Sequence, residues 1–313
     1  MTIGVALPSG DTDGASNLVE ELVEQTRQAA AAGIDSVWFS QLQNYDAVTV
    51  AAIAGREVPG IAVGSSVVPI YPRHPLLLSA LGQTAQAATG GRFTLGIGLG
   101  SEKLLKPAYG VEYPPPIRHL REYLTALRPL LNGEAAEFDG ELLSSHPFAP
   151  TAVPGSAPVP IFVAAMGPQA LKVTGELADG TLPFLAGPRA LAENIVPVIN
   201  AAAESVGRPK PKIVAAFPAI VTNDIDATRE AAAANLGFYD SIPSYQKILA
   251  AEGVSAAHEL AAIGDEETVA AAIRRYFDAG ATEVVITQAG IRSTEDRLRT
   301  WTLAGDQTMV PTN

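Results

Sequence analysis

Gly90-Gly91-Arg92-Phe93-Thr94-Leu95-Gly96-Ile97-Gly98-Leu99-Gly100-Ser101 carries an apolar strand straight into alternating glycines. Glycine lets the main chain approach a ligand closely and tolerates positive φ. A strand ending this way is therefore a candidate cofactor site, or a strand packed tightly beneath a neighbour. A dinucleotide phosphate loop is the first test. Counted from Gly96, the third glycine of G-x-G-x-x-G falls on Ser101, and counted from Gly98 it falls on Lys103, so the fingerprint is absent. The residues that follow, Glu102-Lys103-Leu104-Leu105-Lys106-Pro107, read as a loop rather than the helix such a motif requires.

Outward from this strand, eight short β-rich runs recur: Ile3–Leu7, Ser36–Phe39, Ile61–Val68, Phe93–Leu99, Pro160–Ala164, Gly180–Phe184, Lys212–Val221 and Glu283–Thr287. Between them lie stretches of helical period, among them Asn17–Ala32, Leu76–Thr89, Arg118–Leu131, Gln169–Leu177, Ala190–Val206 and Glu266–Ala279. Eight alternating units predict an α/β fold, a single (β/α)8 TIM barrel over residues 1–313, rather than an open doubly wound sheet. An internal echo supports this. Ala31-Ala32-Gly33-Ile34-Asp35-Ser36-Val37 matches Asp278-Ala279-Gly280-Ala281-Thr282-Glu283-Val284, each with a glycine suited to a left-handed helix cap before the next strand.

Two connections are too long for a simple unit, about 102–159 and 223–263. The first holds Pro114-Pro115-Pro116 and a possible hairpin at Phe138–Leu142; the second holds an alanine-rich helix and Gly237–Tyr245. Both are expected at the C-terminal face of the barrel, where active sites of this fold sit.

Composition narrows the function. Lys and Arg number 21 against 33 Asp and Glu, a net charge of −12, which argues against nucleic acid or an anionic membrane as partner. An anionic ligand must then be held by local donors. Cysteine is absent, which excludes thiol nucleophiles and thiolate metal sites. The opening Met1–Pro8 has no basic region ahead of its apolar residues, so no signal peptide is expected and the chain reads as soluble and cytoplasmic. No G-x-S-x-G occurs, and no two of His74, His119, His146 and His258 have metal-ligand spacing, so no metal site is expected. His119, flanked by Arg118 and Arg121, reads as a solvated or interface position.

Four segments, in order, carry a resemblance: Ile61–Pro75 with its Ser65-Ser66-Val67-Val68-Pro69; Gly91–Gly98; Pro160–Leu171 followed by Ala178-Asp179-Gly180; and Gly264–Val269 running on to Gly280. Together they resemble strand and helix segments of the bacterial luciferase-like superfamily, in the branch that uses the 8-hydroxy-5-deazaflavin coenzyme F-420. The resemblance implies an oxidoreductase that passes hydride from reduced F-420 to a small organic substrate, nonpolar, unsaturated or an imine, and it implies a homodimer. An FMN-dependent monooxygenase of the same superfamily is the alternative, and a non-catalytic cofactor-binding barrel is a second one.

It also implies a non-prolyl cis peptide at Ser66–Val67 behind the cofactor ring, with Ser40, Gly98 and Gly100 at neighbouring strand ends. The cofactor's phosphate falls at Ala165-Met166-Gly167-Pro168. There, proline suits the first helical turn, and the glycine and its neighbours present free amides near the positive end of a helix dipole.

Family members often carry an acid and a histidine after the second strand and a glutamate after the fourth. Here those places hold Ser40 and Gln41, and Ser101 followed by Glu102. Gln41 hydrogen-bonds but does not titrate, which speaks against the sugar-phosphate dehydrogenase chemistry of the best-known relatives. Gln41, Ser101, Glu102 and His74, in the loop after the third strand, are the candidate catalytic residues.

Overall fold

A computed structural model of the chain describes residues 1–308 apart from 11, 13, 291 and 292. Eight parallel strands form the barrel: β1 Ile3–Leu7, β2 Ser36–Phe39, β3 Ala62–Ser65, β4 Phe93–Gly98, β5 Ile161–Val163, β6 Gly180–Thr181, β7 Lys212–Val221 and β8 Glu283–Thr287. Each pairs with the next, and β8 pairs back to β1 through Ile3 with Val284 and Val5 with Ile286, which closes the sheet. Closure leaves the barrel no edge, so its short strands need no cover against further pairing. The long β7 also takes up an extra parallel strand, Ala262–Gly264, along Ala219–Val221.

The echoed joints are equivalent. Gly33 and Gly280 have φ of +82° and +99°, and the residue after each donates back into the preceding helix, Ile34 to Ala29 and Ala281 to Tyr276. This left-handed turn ends the helix and aims the chain at β2 and β8.

Three expectations need correction. The run Ile61–Val68 is interrupted: β3 stops at Ser65, the Ser66–Val67 peptide is cis, and Val68–Pro69 resumes pairing with β4 at Ile97 and Gly98. Glu102–Pro107 is not a loop but part of a helix, Glu102–Tyr109, which tucks Leu105 inward and ends on the left-handed Gly110. Pro107 suggested a break, but it lies in the last turn, where its missing N–H frees a single carbonyl. His119 is buried rather than solvated, its ring 4.5 Å from that of Tyr71, because it falls on the inward face of helix Pro116–Leu131.

The first insertion follows β4 with two helices and the hairpin Phe138–Asp139/Ser144–Ser145. The second follows β7 with helices Ile225–Leu236 and Pro243–Glu252. Both leave the C-terminal ends of their strands. Among the described residues no helix is long and apolar enough to cross a membrane, and no cluster of three or more acids and histidines is placed to hold a metal ion.

Candidate active site at the barrel mouth

Alternation along the strands sorts the inward-facing side chains into layers. A sealed middle layer of Trp38, Phe162, Leu182, Val214, Ala216 and Val285 fills the barrel, with the Trp38 and Phe162 rings stacked 6.0 Å apart. Ala6, Val67 and Phe184 pack on this layer but stay partly exposed, as do Ser40, Ala164 and Thr287 at the other strand ends. The barrel is therefore plugged at mid-height, with a ring of partly exposed side chains at its C-terminal mouth. A floor of aromatic and aliphatic groups with small walls suits a flat, largely apolar ligand.

The plug is fixed from below. Trp38 Nε1 donates to Glu283 Oε1 at 2.8 Å, and Ser36 Oγ donates to the same oxygen at 2.5 Å. Burial pushes the Glu283 carboxyl above the usual range, and the two hydrogen bonds only partly offset this. A small cavity of about 160 Å³ at the N-terminal end is lined by these three residues, Lys212, Thr94 and Thr282.

The strand glycines are explained by protein rather than by ligand. A Cβ on Gly96 would collide with the carbonyl oxygen of Ser65. A Cβ on Gly98 would lie 2.7 Å from Val67 Cγ2, so both positions make room for the interrupted third strand. Gly100 has φ +64° and sits under Leu105, where it turns the chain into helix Glu102–Tyr109. Gly98 and Gly100 thus shape the mouth, one by close packing on Val67 and the other by its left-handed turn. Gly167 differs: nothing lies within 4 Å of where its Cβ would stand. It is the N-cap of helix Pro168–Leu177 with no side chain bonded to the first amides, which leaves them available to an anion. Ala165 is buried and its carbonyl accepts from Thr181 Oγ1, while Met166 packs partly exposed beside it.

The candidate catalytic residues are placed less favourably. Gln41 Nε2 donates to the carbonyls of Leu42 and Tyr45, and its Oε1 accepts from Ala47 N and Arg73 Nη2. Its amide is fully engaged in holding the 41–46 loop. Arg73 also pairs with Asp46 at 3.1 Å; burial would raise this carboxyl, but hydrogen bonds from Thr49 and Arg73 hold it below its usual range. His74 caps helix Pro75–Ala88, its Nδ1 accepting from Leu76 N at 3.2 Å and its Nε2 bonding Ser144 O at 2.8 Å. Nδ1 as acceptor fixes the proton on Nε2, so both ring nitrogens are occupied. Ser101 is the N-cap of its helix without a side-chain bond, and exposed Glu102 faces Lys106 at 3.9 Å. Of these four candidate residues Gln41 alone lines the open cleft of about 810 Å³ between the 41–46 loop, Arg73 and Tyr109.

The second insertion supplies the wall that sequence reasoning left undefined. Phe184 meets Tyr239 edge-on at 5.2 Å, and Tyr239 meets Tyr245 at 4.8 Å. Leu185 has φ +56°, the one positive value at a described non-glycine residue, and is fully buried. That turn leaves Phe184 at the mouth while Leu185 enters the insertion's own core with Leu236 and Leu249. Thr287 and Gln288, at the exit of β8, also escaped notice. The signal was present, a polar Thr-Gln pair ending the apolar Val284-Val285-Ile286.

Comparison with known proteins places this geometry. The model of the luciferase-like monooxygenase family matches residues 1–283. A 5,10-methylenetetrahydromethanopterin reductase of Methanolobus tindarius is 29% identical over 238 residues, covering 75% of this chain and 70% of the reductase. The coenzyme F-420-dependent tetrahydromethanopterin reductase of Methanopyrus kandleri has the same fold, with a TM-score of 0.79, 22% identity and 97% of each chain covered. So does the oxygenating constituent of 3,6-diketocamphane monooxygenase of Pseudomonas putida, solved with FMN, with a TM-score of 0.76, 17% identity and 97% of each chain covered.

Proposed function

The chain belongs to the luciferase-like monooxygenase family, and on that premise we propose that it is an oxidoreductase that binds reduced coenzyme F-420 in the barrel mouth and reduces a small organic substrate. The observation that carries this is the ring of partly exposed, mostly small or apolar side chains above the Trp38 plug, Ala6, Val67, Ala164 and Phe184. Kinship with the methanopterin reductases, of which the Methanopyrus kandleri enzyme is coenzyme F-420-dependent, favours the deazaflavin over FMN.

The residues fit such a group. The floor and the small walls accept a planar ring, and the uncapped amides at Gly167 accept the anionic tail despite the chain's net charge of −12. When bound, the cofactor supplies the hydride. The chain's own residues orient and exclude water: Val67 and Phe184 cover apolar faces, and the insertion tyrosines close the side above β6. No acid or base stands in the mouth among the described residues that line it, so the protein's contribution is positioning and a dry site. Titrating the purified chain with F-420 and, separately, with FMN tests the reading through saturable quenching of cofactor fluorescence. Tight FMN binding with none of F-420 overturns it. Loss of cofactor binding on placing an acidic residue at Gly167 supports the tail's position.

A further inference from the structure

The C-terminal end of β8 contains hydrogen-bonding capacity that the protein itself leaves unused. Several other glutamines that the fold covers wholly or in part engage both ends of their amides. Gln25 bonds Ser9 and Glu21; Gln83 bonds Ser79, Leu130, Thr151 and Val153; Gln86 bonds Pro158 and Phe93; Gln41 holds its own loop. Gln288 does the opposite: its Nε2 and its Oε1 are both buried and both without a partner.

The preceding residue repeats the pattern. Thr287 Oγ1 is buried and unpartnered, whereas the hydroxyls of Ser65 and Thr181, at the ends of β3 and β6, bond to neighbouring strands. Thr287 lies two residues beyond Val285, on the strand face that looks into the barrel, and opposite Pro218 of β7. Three orphaned polar atoms on consecutive residues therefore stand at the C-terminal end of a barrel strand, the end at which this fold binds its substrates. A buried amide left unpaired is costly, and the cost is removed when a ligand supplies the missing partners.

We propose that Thr287 and Gln288 bind the polar group of the substrate, and that they select a substrate carrying a lactam, carboxamide or similar group with a hydrogen-bond acceptor beside a donor. A primary amide offers N–H and C=O side by side, and its complement is a group offering the same pair in reverse. Apart from Ser40, the other mouth residues, Ala6, Val67, Ala164 and Phe184, are apolar and accept the substrate's body without competing for that group. The proposal rests on reading the mouth as the oxidoreductase site, and its test keeps the two apart.

The chain, loaded with F-420, is titrated by calorimetry with 2-piperidone and with N-methyl-2-piperidone, which keeps the acceptor and loses the donor. The same pair is run on Gln288→Met and Thr287→Val, with cofactor quenching measured on every variant. The expected result is that 2-piperidone binds about tenfold tighter than its methyl derivative, that Gln288→Met erases the preference, and that cofactor affinity stays within about twofold. Equal affinities in the unaltered chain, or a preference that survives Gln288→Met, overturn the proposal. So does a loss of cofactor affinity in Gln288→Met as large as the loss of lactam affinity, because the pair then belongs to the cofactor. If F-420 fails to bind the unaltered chain while the lactam preference and its loss in Gln288→Met persist, the cofactor reading falls and the pair stands. Thr287→Val, nearly isosteric, guards against misreading a folding defect: it should weaken both ligands while the melting temperature holds or rises, because a methyl replaces an unpartnered buried hydroxyl.

Discussion

Ser65 Oγ lies 2.9 Å from the carbonyl oxygen of Gly96 and 3.0 Å from its amide nitrogen, so one hydroxyl donates to and accepts from the same residue of the neighbouring strand. This clamp stands where β3 ends and the chain swings out at Ser66–Val67. Direct backbone pairing cannot continue there, because the Ser65 carbonyl is turned into the space beside Gly96.

Removing the clamp leaves the Gly96 amide and carbonyl unpaired in a fully buried place. Ser65→Ala should therefore destabilise the chain by about 1–3 kcal/mol. The check is a fall in the urea midpoint with an unchanged m value.

Glu283 gives stability a definite pH dependence. Its carboxyl is raised by burial. Between the unfolded range and this raised range the folded chain holds a proton that the unfolded chain has lost. The resulting contribution is complete below the unfolded range and is lost as pH rises through the raised one. Glu283→Gln retains an oxygen to accept from Ser36 and Trp38 and cannot ionise. As pH rises above the ordinary carboxylate range, its melting temperature should fall less than that of the unaltered chain. Parallel profiles would assign the pH dependence to another group.

Gly167 separates folding from anion binding. Its φ of −79° and its open surroundings accept a side chain. Gly167→Asp places an acceptor at a helix N-cap, so stability should hold or rise by a few tenths of a kcal/mol. The same charge repels an anionic cofactor tail, so F-420 quenching should weaken about tenfold or more. Unchanged cofactor affinity would move the anion elsewhere.

His74 and Gln41 are predicted to be structural. His74→Ala removes a helix cap and should cost about 1 kcal/mol; Gln41→Ala should make the 41–46 loop more sensitive to protease. Turnover per folded molecule should change by about twofold at most. A drop of about a hundredfold or more in either variant would restore it to acid–base chemistry.

The barrel was legible in the order of runs along the chain. β1, β2, β7 and β8 lie on the residues that their apolar pattern marks, because a buried parallel strand must be apolar on both faces and that requirement is local. The interruption of β3 was not visible in its own composition, since Ile61–Val68 is as β-prone as any other strand. Pro107 hid a helix that Leu105 and Gly110 stabilise. Gly33 and Gly280 kept the meaning they had in sequence, a left-handed joint, because φ is a property of one residue and its neighbours.

By itself the sequence determined the alternation of strand and helix, the two long excursions at the C-terminal face and the family resemblance, all of which rest on short-range pattern. Tertiary structure alone decided what each glycine and each polar side chain does there. Gly96 and Gly98 yield space to Ser65 and Val67, Gln41 is used up by its own loop, His74 by its helix and by Ser144 of the first insertion, and Thr287 and Gln288 are left unpaired. Whether a polar group is free to meet a ligand depends on every neighbour that could satisfy it first, and those neighbours come from strands and loops far apart in the chain.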